Sequence, residues 1–301
     1  MHRASARARD PAQEIGMRPA NALLLALLVA SCAQPCEVPR RDTAYLLWSL
    51  SIEQATRDDG RSVAPGFDLD GLVTARPRFD GSCVDANEDH EYRGVRGIDN
   101  ATAHLAGLAQ LLAPEPIELE VARKVVSGQL VLLLDVRWGE DGGMPSMRIV
   151  RGEPVSGAIE TIGERPRIGQ AFRVVEVMAD VPVVVRRRCA ERRDELTAIV
   201  PAFTPVGDGV VRALPLEHAE VTHVGISTDG LTLRDGWLGG SWTVDDVADW
   251  VADVAPAIGR DQASVALSGV ADLDPDPSDP ITCRRLSFAL RFEAVTAELV
   301  D

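Results

Sequence analysis

"RLSFALRFEAV" (Arg285–Val295) alternates apolar and polar residues along most of its length. Leu286, Phe288, Leu290 and Phe292 fall on one side; Ser287, Arg291 and Glu293 fall on the other. That period of two is the signature of a strand with one face in a core. "QLVLLLDVRW" (129–138) repeats it, with Leu130, Leu132, Leu134, Val136 and Trp138 on one face and the turn "GEDGG" after it. "TAYLLWSLSIE" (43–53) does the same with Leu46, Trp48, Leu50 and Ile52. Further strands are predicted at "SMRIV", "AFRVVEVM", "VPVVVRRRC", "ELTAIV", "AEVTHVGI", "LTLRDGWL" and "ASVALSGV". Two segments read as helices. Asp99-Asn100 caps "ATAHLAGLAQLLA" (101–113), and Thr243 caps "TVDDVADWVADVA" (243–255), with an apolar stripe of Val247, Trp250, Val251 and Val254. The expected fold is mainly β, an antiparallel sandwich or barrel-like architecture with about two short helices. Residues 56–100, rich in Gly, Asp, Arg and Pro, read as long loops.

The N-terminus points to export. "ALLLALLVA" (22–30) is too short for a transmembrane helix but has the length of a signal-peptide core, and Ala30 and Ser31 suit cleavage before Cys32. Residues 1–31 are therefore expected to be a signal peptide, with Met17-Arg18 a better start than Met1. Cys32 is the expected lipidation site, residues 32–43 a tether and residues 44–301 the β-rich domain, with a division into two subdomains near 155–165 compatible with the composition. Four cysteines remain, Cys36, Cys83, Cys189 and Cys283, an even number suited to disulfides in an oxidising compartment. The chain holds 46 acidic and 31 basic residues, a net charge of −15, and loss of the leader's four arginines and two acidic residues makes it more negative. That balance argues against nucleic acid as a partner. The expected partner is a membrane, reached through the lipid, with a protein or glycan ligand left open.

The lipobox-like "LVASC", a Gly-Phe-x-Leu-Asp-Gly stretch ("GFDLDG", 66–71), "GIDN" (97–100) and a C-terminal strand carrying Cys and aromatics together resemble an uncharacterised lipoprotein family of myxobacterium-like genomes. The resemblance implies an exported lipoprotein and no activity. Ala33, in place of the Asp that marks inner-membrane retention, favours the outer membrane, facing the periplasm or the cell surface.

"GFDLDGLVT" (66–74) also resembles the nucleophile loop of haloacid dehalogenase-type phosphatases, with Asp68 as nucleophile and Asp70 as acid/base. Pro65 and Gly66 stand where that chemistry needs an apolar strand. Lys124, the chain's single lysine, is misplaced, and no alternation of strands and helices follows, so the match reads as chance. "DANED" offers Asp85, Asn87 and Asp89 at alternate positions, an oxygen set suited to calcium. His90 and Arg96 occupy the positions where an EF-hand needs Gly and Glu, so only a looser site fits. Neither HExxH nor GxSxG occurs. Two function classes follow: a lipid-anchored binding or structural module without catalysis, or an exported hydrolase or calcium-dependent carbohydrate-active protein. With 4% aromatic residues, a sugar-stacking cleft is poorly supplied.

Overall fold

A computed structural model describes residues 41–73, 89–104, 117–139, 144–188, 193–203, 216–227, 229–254 and 258–300, all within one unit, Val38–Asp301. Cys32, Cys36, Cys83, Asp85, Asn87 and Cys189 lie outside the described residues. The chain runs through β1 (Thr43–Ser51), the short β2 (Thr56–Asp58), β3 (Arg61–Val63), β4 (His90–Tyr92) and β5 (Val95–Ile98), and then helix α1 (Ile117–Val126). β6 (Leu132–Arg137), β7 (Ser146–Pro154), a small hairpin of β8 (Thr161–Ile162) and β9 (Arg165–Pro166), and the long β10 (Gln170–Arg188) follow. β11 (Arg193–Phe203), β12 (Leu216–Ile226) and β13 (Thr232–Thr243) lead to helices α2 (Val244–Val254) and α3 (Arg260–Ser268). β14 (Leu273–Asp276) and the 22-residue β15 (Asp279–Val300) end the described chain.

Eight strands close an antiparallel barrel in the order β1-β6-β7-β10-β11-β12-β13-β15, with β15 returning to β1. The expected mainly β, barrel-like class is what the chain adopts. Its interior is solid: Met147, Leu196, Leu216, Leu233, Phe288 and Phe292 are all fully buried, and Trp242 stacks on Phe288 at 3.9 Å. Exposed strand positions include Glu153, Arg173, Glu176, Asp180 and Arg234 together with Val175, Val177, Val184 and Ile199, and the apolar interior differs from the polar lumen of a membrane-spanning barrel. Among the described residues no helix is long and apolar enough to cross a membrane.

A second circuit shares one wall with the first. The start of β10 pairs in parallel with the end of β15, Phe172 opposite Leu299, so β1, β6, β7, β10 and β15 also form a ring. Leu46, Leu133, Val150, Phe172 and Val295 make a core of their own, whereas Tyr45, Leu47, Leu132 and Leu134 belong to the main barrel. β1 and β6 thus bury both faces. This explains why "LVLLLDV" is apolar at successive positions and not only at alternate ones. β10 takes part in both rings because two register shifts, at Val174/Glu176 and Val177/Ala179, let one strand turn. The sequence had suggested two separate strands there.

Three expectations need correction. "ASVALSGV" lies largely in α3, where Ala263 and Leu267, four residues apart, are buried against α2; the i, i+4 spacing outweighs the β-branched content. In α2 the buried stripe is Val244 and Ala248 flanked by Val247 and Val251, with Trp250 half-buried. Thr243 does cap it: its Oγ1 accepts the Asp246 N–H at 3.0 Å and donates to Asp246 Oδ2 at 2.6 Å. Finally, Ser287 faces away from the barrel interior yet has no exposure, and neither does Ala289. The outer face of β13 and β15 is covered by the lobe that carries β2 to β5, a region the composition had marked as loop.

Candidate cation site

"GFDLDG" and "GIDN" cross each other on that covered face. The Asp99 N–H donates to Phe67 O at 2.8 Å, and the two residues form an isolated antiparallel bridge. Asn100 Nδ2 donates to Pro65 O at 2.6 Å. The backbones pass so closely that a Cβ on Gly66 would stand 2.7 Å from Asp99 O. One on Gly97, whose φ is +78°, would stand 2.3 Å from Leu72 O. Only glycine satisfies both positions. Phe67 fixes the crossing to the barrel, packed with Trp237 and Ala289. Its ring occupies the space above Gly239, where a Cβ would come within 1.9 Å of it.

The crossing gathers carboxylates. Asp68 Oδ1 accepts the Gly71 N–H at 2.8 Å and Asp70 Oδ1 accepts the Leu72 N–H at 2.7 Å, two local turns that orient the side chains. One carboxylate oxygen each from Asp68, Asp70 and Asp99 lie within 4.8 Å of one another. Calcium–oxygen bonds of about 2.3–2.6 Å place ligand oxygens no more than about 5 Å apart, so the spacing fits a calcium shell. Asp68 and Asp70 are exposed, leaving room for water ligands.

Asp99 is the unusual member. It is 2% exposed, its carboxylate accepts one hydrogen bond, from the Leu69 N–H at 2.7 Å, and among the described residues no basic side chain pairs with it. Burial, then the charges of Asp272, Asp70 and Asp89, push its carboxyl up to about 9. Asp135, a buried aspartate in the barrel wall, shows the usual remedy: Arg148 Nε donates to it at 2.7 Å and Arg137 Nε at 3.0 Å. A buried carboxylate ordinarily has such a partner or a metal ion.

Behind the carboxylates the packing is polar and closed. Asn100 caps the helix predicted over 101–113, of which residues 101–104 are described and the rest lie outside the described residues; its Oδ1 accepts from the Ala103 N–H at 3.1 Å and from Thr102 Oγ1 at 2.7 Å. The Ala101 N–H donates to Ser287 Oγ at 2.7 Å, and that hydroxyl donates to Asp272. His90 contacts Ser62 Oγ through Nδ1 at 2.8 Å and Asn100 O through Nε2 at 3.3 Å, with its ring 4.8 Å from His104. Burial and the neighbouring His104 push the His90 imidazole down to about 4.

Of the residues singled out from sequence, Asp89 is near enough for its charge to act on Asp99 but is not one of the converging carboxylates; Asp85 and Asn87 lie outside the described residues. Cys283 is buried beside α2 and α3. The convergence of Asp68 and Asp70 with Asp99 is not visible from spacing, because some thirty residues separate them. The signal that could have found it is the pair of glycines, Gly66 and Gly97, each beginning a stretch that carries Asp. The phosphatase-like reading of Asp68 and Asp70 has no support in the fold: an antiparallel barrel replaces the alternating strands and helices it requires. No protein-family model matches the chain, and no curated protein or solved structure is significantly similar to it.

Proposed function

We propose that the chain is a lipid-anchored, extracytoplasmic module, placed at the outer membrane through Cys32, that acts by binding and not by catalysis. Its "GFDLDG"–"GIDN" crossing holds a calcium-like divalent cation. The observation that carries the cation is Asp99, a buried carboxylate without a basic partner among the described residues, facing two exposed carboxylates at calcium spacing. A hard cation would supply the missing charge and tie both stretches to the barrel. The lipid anchor is supported by "ALLLALLVASC", and a filled barrel interior leaves the loops and outer surface as the working parts.

Calcium added to chelator-stripped protein should raise its melting temperature, and Asp68→Asn with Asp70→Asn should remove the rise. An unchanged melting temperature would retire the cation. Separately, Cys32→Ser in the full precursor should abolish lipid labelling and release the protein from membranes. Membrane attachment of that variant would retire the anchor.

A further inference from the structure

A small pocket opens beside the acidic crossing, at the end of the barrel where β12, β13, β14 and β15 meet. Its volume is about 310 Å³, and its polar lining is Asp70, His218, Ser241, Asp274 and Arg285, completed by two leucine side chains. That size is at the lower end for ligand sites and suits one small molecule.

Two of the lining residues sit in the left-handed backbone region without being glycine, His218 at φ +50° and Asp274 at φ +58°. Only five described non-glycine residues do so, and such strain collects where a side chain is needed at a fixed place. Four of the five polar groups are held on one side by the protein. Asp274 meets Arg284 at 2.8 Å, Asp70 accepts the Leu72 N–H, and Arg285 Nε donates to Ser241 Oγ at 3.1 Å. Arg285 Nη2, 2.7 Å from Glu217 Oε2, is buried yet too poorly aligned to make a hydrogen bond.

Acceptors and donors therefore line one cavity together. An anionic ligand would face Asp70 and Asp274, and a cationic one would face Arg285. A neutral ligand rich in hydroxyls avoids both conflicts, because each hydroxyl donates and accepts. The geometry points to a binding site for a single neutral sugar unit. The site shares Asp70 with the cation cluster, so a bound cation could add a ligand contact, but the pocket does not depend on it.

The test is saturation-transfer NMR on the full chain with a panel of methyl hexosides as probes, in calcium and in chelator, for the native protein and for His218→Gly and Asp274→Gly. Glycine removes each side chain while keeping the left-handed backbone accessible, so both variants should stay folded, as cooperative melts near the native temperature would show. Transfer to at least one hexoside, lost in both variants, is the expected result. Transfer confined to calcium would assign the cation a contact, and transfer in both buffers would show the pocket acting alone; either supports the site. No transfer to any probe, or native-like transfer to either variant, would overturn it, whatever calcium does to the melting temperature.

Discussion

Asp99→Asn separates a cation site from a merely buried aspartate. The Asp99 carboxyl is raised from 3.8 to about 9. A folded value above the unfolded one means that its contribution to stability is complete below pH 3.8 and is lost as pH rises towards 9. At pH 7 the loss is about three units, up to ~4 kcal/mol at roughly 1.4 kcal/mol per unit. Asparagine keeps an oxygen for the Leu69 N–H, bound at 2.7 Å in the native chain, and turns an amide towards Asp68 and Asp70. In chelator at pH 7 the variant should therefore be the more stable protein, by up to ~4 kcal/mol, on the order of 10 °C in melting temperature for a unit of this size. Calcium should reverse the order, stabilising the native chain through the ionised carboxylate and leaving the variant nearly unmoved. While Asp99 is protonated, calcium affinity should rise about tenfold per pH unit, because the ion must displace one proton. Calorimetric melts of both proteins, with and without calcium, at pH 5, 7 and 9 would check this. A variant less stable than the native chain in chelator, with equal calcium shifts in both, would refute the reasoning.

Other consequences are independent of the cation. His90 is held near 4, below its ordinary 6.5, so its contribution is present above pH 6.5 and lost as pH falls towards 4. His90→Asn should flatten that part of the acid-unfolding profile, worth up to about 3 kcal/mol. Gly239→Ala places a methyl within 1.9 Å of the Phe67 ring and should destabilise the chain by about 1–3 kcal/mol. Combining it with Phe67→Leu should cost less than the sum of the two, measured as a double-mutant cycle in urea.

The barrel was legible where one face is buried and the other wet. In β15 the inward set Phe288, Leu290 and Phe292 follows directly from alternation, and Leu286, in step with them, is buried instead with α2 and α3. It was illegible where the outer face is covered too: Ser287 and Ala289 look solvent-facing until a lobe more than 180 residues away in sequence is laid over them. α3 was misread because Val265, the residue that makes "ASVALSGV" look strand-like, is exposed on the helix and does no packing. The two-ring arrangement was hidden in β10, since register shifts leave no clear mark on composition. The acidic residues were all visible, but their partners were not, because "GFDLDG" and "GIDN" meet only through a bridge between Phe67 and Asp99.

The most direct test of the cation reading is isothermal titration of calcium into the chelator-stripped full chain near neutral pH. One ion should bind per chain, and Asp68→Asn, Asp70→Asn and Asp99→Asn should each weaken it at least tenfold, about 1.4 kcal/mol. Absence of binding heat together with no calcium-induced stabilisation, or binding untouched by all three substitutions, would contradict the account.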